Sequence, residues 1–209
     1  MMKNSKEILQ KKQSIRKEMD KAVPKAQGDV LWKASEDRLA AILEKYRGIP
    51  EGYRIHTDKH IFPSAAVYLT LKDAVGQETA YKVIENAAVK ETAAVARKLA
   101  GLLRMPGMRT LFIRMWNPMV KKIFAEDNGF RNVFYPKEKN AYRMDIISCP
   151  YSRYLSELGC PELTKIFCEN DVRVYGHLPG LRFERSGTLG KGADRCDFCI
   201  RKDEGKDAL

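Results

Sequence analysis

The stretch Tyr142-Arg143-Met144-Asp145-Ile146-Ile147-Ser148-Cys149-Pro150 decides the fold. Tyr142, Met144 and Ile146 alternate with Arg143, Asp145 and Ile147, the period of two that belongs to a strand. Pro150 then suits the first position of a helix, where its missing N–H costs nothing. Upstream the pattern is helical. Residues 4–22 place Ile8, Ile15 and Met19 at helical spacing, and a second helix is expected over 29–46 with Leu31, Leu39, Ile42 and Leu43 as its stripe. Residues 51–60 are polar and read as loop, 61–71 as a short helix and 77–103 as a long one. A further helix over 108–124 should kink or split at Pro118. Residues 132–135 read as a further strand. Downstream, helices are expected from Pro150 to Leu158 and from Pro161 to about Val174, then strands over 181–189 and 195–201. The turn between those strands falls to Gly190, Lys191, Gly192 and Ala193. Helices first and an antiparallel sheet of about four strands afterwards make an α+β layout. The expected organisation is a helical region over 1–128 and an antiparallel α+β region over 129–209, joined in one body because no Pro-rich or Ser-rich linker divides them.

Composition narrows the class. With 44% hydrophobic and 31% charged residues the chain is expected to fold around a core. No apolar run is long enough to span a bilayer, and the charged N-terminus lacks the apolar core of a secretory signal. A cytoplasmic location follows as an expectation, and with it five reduced thiols in place of disulfides. The polar tail after Lys202 is expected to fray. The net charge of +11 is concentrated: residues 95–143 hold 11 Lys and Arg against 3 acidic residues. Arg97, Lys98, Arg104, Arg109, Arg114, Lys121 and Lys122 are therefore the candidates for any nucleic-acid contact. No zinc-finger, RNP or phosphate-loop signature accompanies them, so a solvated basic face, or attraction of a small carboxylate, is the preferred reading.

The cysteines fall in the last third, within a set of short motifs: Cys149-Pro150-Tyr151, Gly159-Cys160-Pro161-Glu162-Leu163, Phe167-Cys168-Glu169-Asn170-Asp171, Thr188-Leu189-Gly190-Lys191-Gly192 and Cys196-Asp197-Phe198. In this order the motifs resemble the C-terminal half of the L-2-amino-thiazoline-4-carboxylic acid hydrolase family. A Gly-Gly of that pattern is kept only in part, as Gly190-Lys191-Gly192, and Cys199 stands where Arg is expected. The resemblance implies a carboxylate-bearing cyclic isothiourea as substrate, opened by water to N-carbamoyl-L-cysteine without a cofactor. Such a reaction needs an activated water or nucleophile, an acid for the leaving group and a cation for the carboxylate.

Cys168 and Asp171 lie three apart on an expected helix and share a face. Cys168 is the candidate nucleophile. Asp171 suits an acid/base or orienting role, because a carboxylate beside a thiol raises the thiol pKa. Cys196 and Asp197 are candidates too, but neighbours on a strand point to opposite faces; Phe198 and Ile200 place the Cys196 face inward. Cys149 is read equally as structural or functional, and Cys160 as packing. Arg182 and Arg185 are candidate carboxylate binders, although a solvated strand face explains them as well. His56 and His60 receive no role.

Three alternatives stand beside the hydrolase. Cys196-x-x-Cys199 with Cys168 and His177 forms a candidate zinc set, weakened because a regular strand turns the two cysteines of the pair apart. The element order also resembles the 4-vinyl reductase type of small-molecule-binding domain. The basic block could serve a nucleic acid, which is the least favoured partner. A homo-oligomer is compatible with all of these readings.

Overall fold

The computed structural model describes residues 4–136 and 138–203; the tail from 204 onward, expected to fray, lies outside the described residues. The helical half begins with α1 (Ser5–Gln10) and α2 (Gln13–Ala22), so the single helix expected over 4–22 is divided at Lys11 and Lys12. Asn4 caps α1, its side chain accepting from the Lys6 N–H. α3 runs Lys25–Lys45.

The polar segment expected as loop is helical instead. A 3-10 turn (Glu51–Tyr53), α4 (Arg54–His56) and a π turn (Thr57–Ile61) run without interruption into α5 (Phe62–Val75). The widened π turn sits just before Pro63, which has no N–H to give the ladder. Polar composition misled here because Thr57, Asp58 and His56 are buried and find partners: Thr57 Oγ1 donates to the Tyr53 carbonyl at 3.2 Å, and Arg54 pairs with Asp58 at 3.4 Å. α6 (Gln77–Leu103) and α7 (Met108–Ile123) follow. α7 is not split at Pro118. Both Pro118 and Arg114, whose carbonyl loses its helical donor, are exposed, so water takes the missing bond. Among the described residues no helix is long and apolar enough to cross a membrane.

The second half carries β1 (Arg131–Phe134), β2 (Ala141–Ser148), α8 (Pro150–Glu157), α9 (Leu163–Tyr175), β3 (Leu181–Glu184) and β4 (Cys196–Lys202). The strands form one antiparallel sheet in the order β1-β2-β4-β3. Met144 pairs with Phe198 and Ile146 with Cys196, which aligns the buried faces of the two central strands. The α+β architecture with a four-stranded sheet is therefore as the period change indicated. Two boundaries in this half differ by more than one residue. α9 starts at Leu163, with Pro161 in the turn before it. β3 ends at Glu184, five residues earlier than expected, because the chain leaves the sheet there to lie against α9.

Two clusters of buried residues fill the molecule. One is largely aliphatic and joins α1–α6, with Leu9, Met19, Leu39, Phe62 and Ile84. The other is largely aromatic and lies on the sheet, with Trp116, Phe130, Tyr142, Met144 and Phe198. α8 and α9 give Tyr154, Leu155, Leu163 and Ile166 to the first cluster, while α7 gives Ile113, Trp116 and Val120 to the second. Each fully buried side chain of this size contributes about 1.5–3 kcal/mol. α9 thus lies at the seam, with one side in the helical core and another turned to the sheet.

Candidate active site

Helical spacing sets Cys168, Asp171 and Tyr175 in one stripe of α9. The loop after β3 closes over this stripe and is fixed at several points. Lys191 pairs with Glu169 of α9 at 2.6 Å. Asp197 accepts from the Ser186 N–H (2.8 Å), the Ser186 hydroxyl (2.9 Å) and the Gly187 N–H (2.8 Å). Burial pushes the Asp197 carboxyl up, but these donors outweigh it and hold its pKa below the ordinary value. Gly190 rests directly on the helix. A Cβ there would come within 2.8 Å of Cys168 Sγ and 2.9 Å of Thr164 Cγ2, so only glycine lets the loop backbone come this close.

The loop surrounds the Cys168 sulfur with donors. The Gly190 backbone packs against it, and the Cys196 thiol of β4 and the Thr188 hydroxyl are near enough to act on its proton. Cys196 is in turn held by the Leu189 N–H at 3.2 Å. The Thr188 hydroxyl is buried and has no conventional hydrogen-bond partner among the described residues. Behind the thiol lies Arg185, with only 6% of its side chain exposed; it donates to Asp171 Oδ2 at 3.1 Å and to the Cys168 carbonyl at 2.8 Å. The Cys196 S–H leads the effects that hold the Cys168 pKa well below that of a free thiol; burial opposes it, and Thr188, Gly190 and the Arg185 charge add to it. The partner moves the other way: sharing its proton with Cys168, and being buried, drives the Cys196 pKa up.

Asp171 behaves differently from a surface carboxylate. Desolvation raises its pKa to about 7, Arg185 opposes that rise, and the neighbouring Cys168 adds to it. Yet 36% of its side-chain surface is open. Cys149, Tyr151 and Tyr175 show the same combination of some open surface with a pKa raised chiefly by burial. These groups are closely packed by protein and yet each keeps some open surface, and we refer to the place where they meet as the crevice. Cys149, the residue preceding α8, points its thiol at the Tyr151 and Ser152 N–H groups and is pushed up to about 12.

Sequence reasoning missed two parts of this arrangement. Arg185 was weighed as a residue of a solvated strand face, but it is buried and paired, because the strand ends one residue before it. His56, given no role, lies against Tyr151. Its Nε2 is 3.0 Å from the Ile123 carbonyl, which can only accept, so Nε2 carries the proton. Nδ1 is left to accept from the Tyr151 hydroxyl at 3.1 Å. Burial lowers the His56 pKa and keeps the ring neutral. No sequence signal links two residues 95 positions apart. Thr188 and Gly190, by contrast, stood in a quoted motif.

Of the predicted residues, Cys149, Cys168, Asp171 and Cys196 converge on one crevice. Asp197 lies on the other face of β4 and anchors the loop. Cys199 also faces away from Cys196, with Arg201 Nη2 3.7 Å from its sulfur. His177 is exposed beyond α9, and Arg182 is exposed beside Glu184. Among the described residues no three His, Cys, Asp or Glu side chains are grouped to hold a metal ion.

The sequence model of the L-2-amino-thiazoline-4-carboxylic acid hydrolase family matches residues 54–200, a span that includes every crevice residue and leaves out α1–α3. No curated protein and no solved structure matches the chain.

Proposed function

The chain belongs to the L-2-amino-thiazoline-4-carboxylic acid hydrolase family, and on that premise we propose that it opens a cyclic isothiourea bearing a carboxylate, with Cys168 as nucleophile and Asp171 as acid and base. The observation that supports this reading is the setting of one thiol: the Gly190 backbone packs on the Cys168 sulfur, Arg185 is held behind it by Asp171 and the Cys168 carbonyl, and Cys196, Thr188, Gly190 and Arg185 together lower its pKa. A thiolate so held is present at neutral pH, and the thiolate is the nucleophile.

The chemistry balances in two displacements. The Cys168 thiolate attacks the carbon between ring sulfur and nitrogen. The bond from that carbon to ring sulfur breaks, sulfur leaves with the electron pair, and Asp171 supplies its proton. The opened substrate stays attached to Cys168 as an S-linked isothiourea. Water then attacks the same carbon; Asp171 takes one of its protons and the imine nitrogen the other, and the Cys168–carbon bond breaks to release N-carbamoyl-L-cysteine and the thiolate. A carboxyl with a pKa of about 7 suits both proton transfers.

In this reading Cys196, Thr188, Gly190 and Arg185 position and stabilise the thiolate. Cys149 stays protonated as part of the wall, and Asp197 holds the loop. Tyr151 is oriented by His56. The test is to follow N-carbamoyl-L-cysteine formation from L-2-amino-thiazoline-4-carboxylate by the protein and by Cys168→Ala. Turnover lost in the variant supports the assignment. Undiminished turnover in the variant removes Cys168 from the chemistry, and no turnover by the parent removes the substrate.

A further inference from the structure

Past Tyr175, the stripe of α9 that carries Cys168 and Asp171 reaches a second concavity, on the outer side of that ring. An open groove of about 490 Å³ lies between α6, α7 and α9, with Leu99, Leu102, Trp116, Phe124 and Tyr175 among its lining residues. It lies within the size range of small-ligand sites. Two features separate it from an ordinary surface dent. Apolar side chains remain in water around it: Val95 is 52% exposed, Met119 43% and Leu102 40%. The Trp116 side chain is also unfinished: its indole N–H is buried with no acceptor among the described residues, an arrangement that is unfavourable when nothing fills it.

The charge at this site has one sign. No Asp or Glu lines the groove, and its one charged lining residue is Lys98, an exposed side chain for which no described residue supplies a carboxylate partner. An apolar floor with a single lysine at its edge complements a molecule with an apolar body and one negative end. A neutral apolar ligand would leave Lys98 unused, and a cation would be repelled.

We propose that this groove binds a small amphipathic carboxylate, its hydrocarbon body against Leu99, Trp116 and Phe124 and its charge at Lys98, at a site distinct from the thiol crevice and separated from it by Tyr175. The proposal does not depend on the hydrolase reading, because its test needs no turnover.

The chain has two tryptophans, Trp32 and Trp116, so a Trp32→Phe protein reports on the groove alone. Decanoate, decanol and decyltrimethylammonium are titrated against Trp116 fluorescence. The expected result is saturable binding with decanoate tightest, although the alcohol is the easier of the two to remove from water. Lys98→Ala should weaken decanoate about three-fold, as an exposed charge pair allows, and leave decanol unchanged. Met119→Glu should abolish decanoate binding. Three results overturn the proposal: no saturable change in Trp116 emission, decanol binding as tightly as decanoate, or decanoate protecting Cys168 from iodoacetamide, which would put the chain in the crevice.

Discussion

The two ends of α8 and the seam between α9 and the loop after β3 both carry cysteines, yet they treat the thiol in opposite ways. Cys149 before α8 and Cys160 after it are pushed up to about 12, chiefly by burial. Cys168 at the seam is also partly buried, but its pKa falls. Enclosure alone therefore raises a thiol pKa here. What reverses the sign at Cys168 is first the Cys196 thiol at the start of β4, and then the hydroxyl, backbone N–H and guanidinium supplied by the loop over residues 185–190. The lowered pKa at this site depends on the groups around the sulfur as much as on the cysteine.

That contrast can be broken in graded steps. Cys168→Ala should lower turnover of the thiazoline by at least about a thousand-fold, whereas Cys160→Ala should leave kcat nearly unchanged; steady-state kinetics of both variants make the comparison. Arg185→Met should come next. It leaves the Cys168 carbonyl and Asp171 without their buried partner and should destabilise the fold by about 3 kcal/mol, near the low end for a broken buried pair because Asp171 can take up a proton. Chemical denaturation measures the loss, and the Cys168 alkylation midpoint should move toward that of a free thiol. Gly190→Ala forces the loop off the helix, at about 1–3 kcal/mol for overpacking, and should raise the Cys168 midpoint while leaving Cys149 unaltered.

The pH profile sharpens the same comparison. Cys168 must be ionised and Asp171 protonated for the first displacement. Activity should therefore rise through the lowered Cys168 pKa and fall again near pH 7 as Asp171 ionises. A rising limb at the free-thiol value, about 8.5, would contradict the donor ring. The smallest effect is expected at Asp197. Its folded pKa is depressed, so its contribution is complete above the ordinary Asp value near 3.9 and fades as pH falls through the lower folded value. Asp197→Asn should cost about 1–2 kcal/mol at neutral pH, with the deficit closing in acid.

What the sequence disclosed follows from periodicity. The alternation at 142–147 and the parity of β4, which puts Cys196 inward and Asp197 outward, are local facts. So is the shared face of Cys168 and Asp171. The hidden parts depend on chain segments that meet only in three dimensions. Arg185 looked like one more residue of an alternating strand, and only the departure of the chain from the sheet after Glu184 buries it. Residues 51–60 looked polar because their polar groups serve one another inside the fold. His56 reaches Tyr151 across 95 positions.

The most direct test of the account is intact-mass analysis of the protein quenched during turnover of L-2-amino-thiazoline-4-carboxylate. Ring opening on a thiol loses no fragment, so the account predicts a transient mass gain equal to the whole substrate, located on the peptide containing Cys168 and absent from Cys168→Ala. Full turnover by Cys168→Ala, with no adduct on the parent protein at any time, would contradict it.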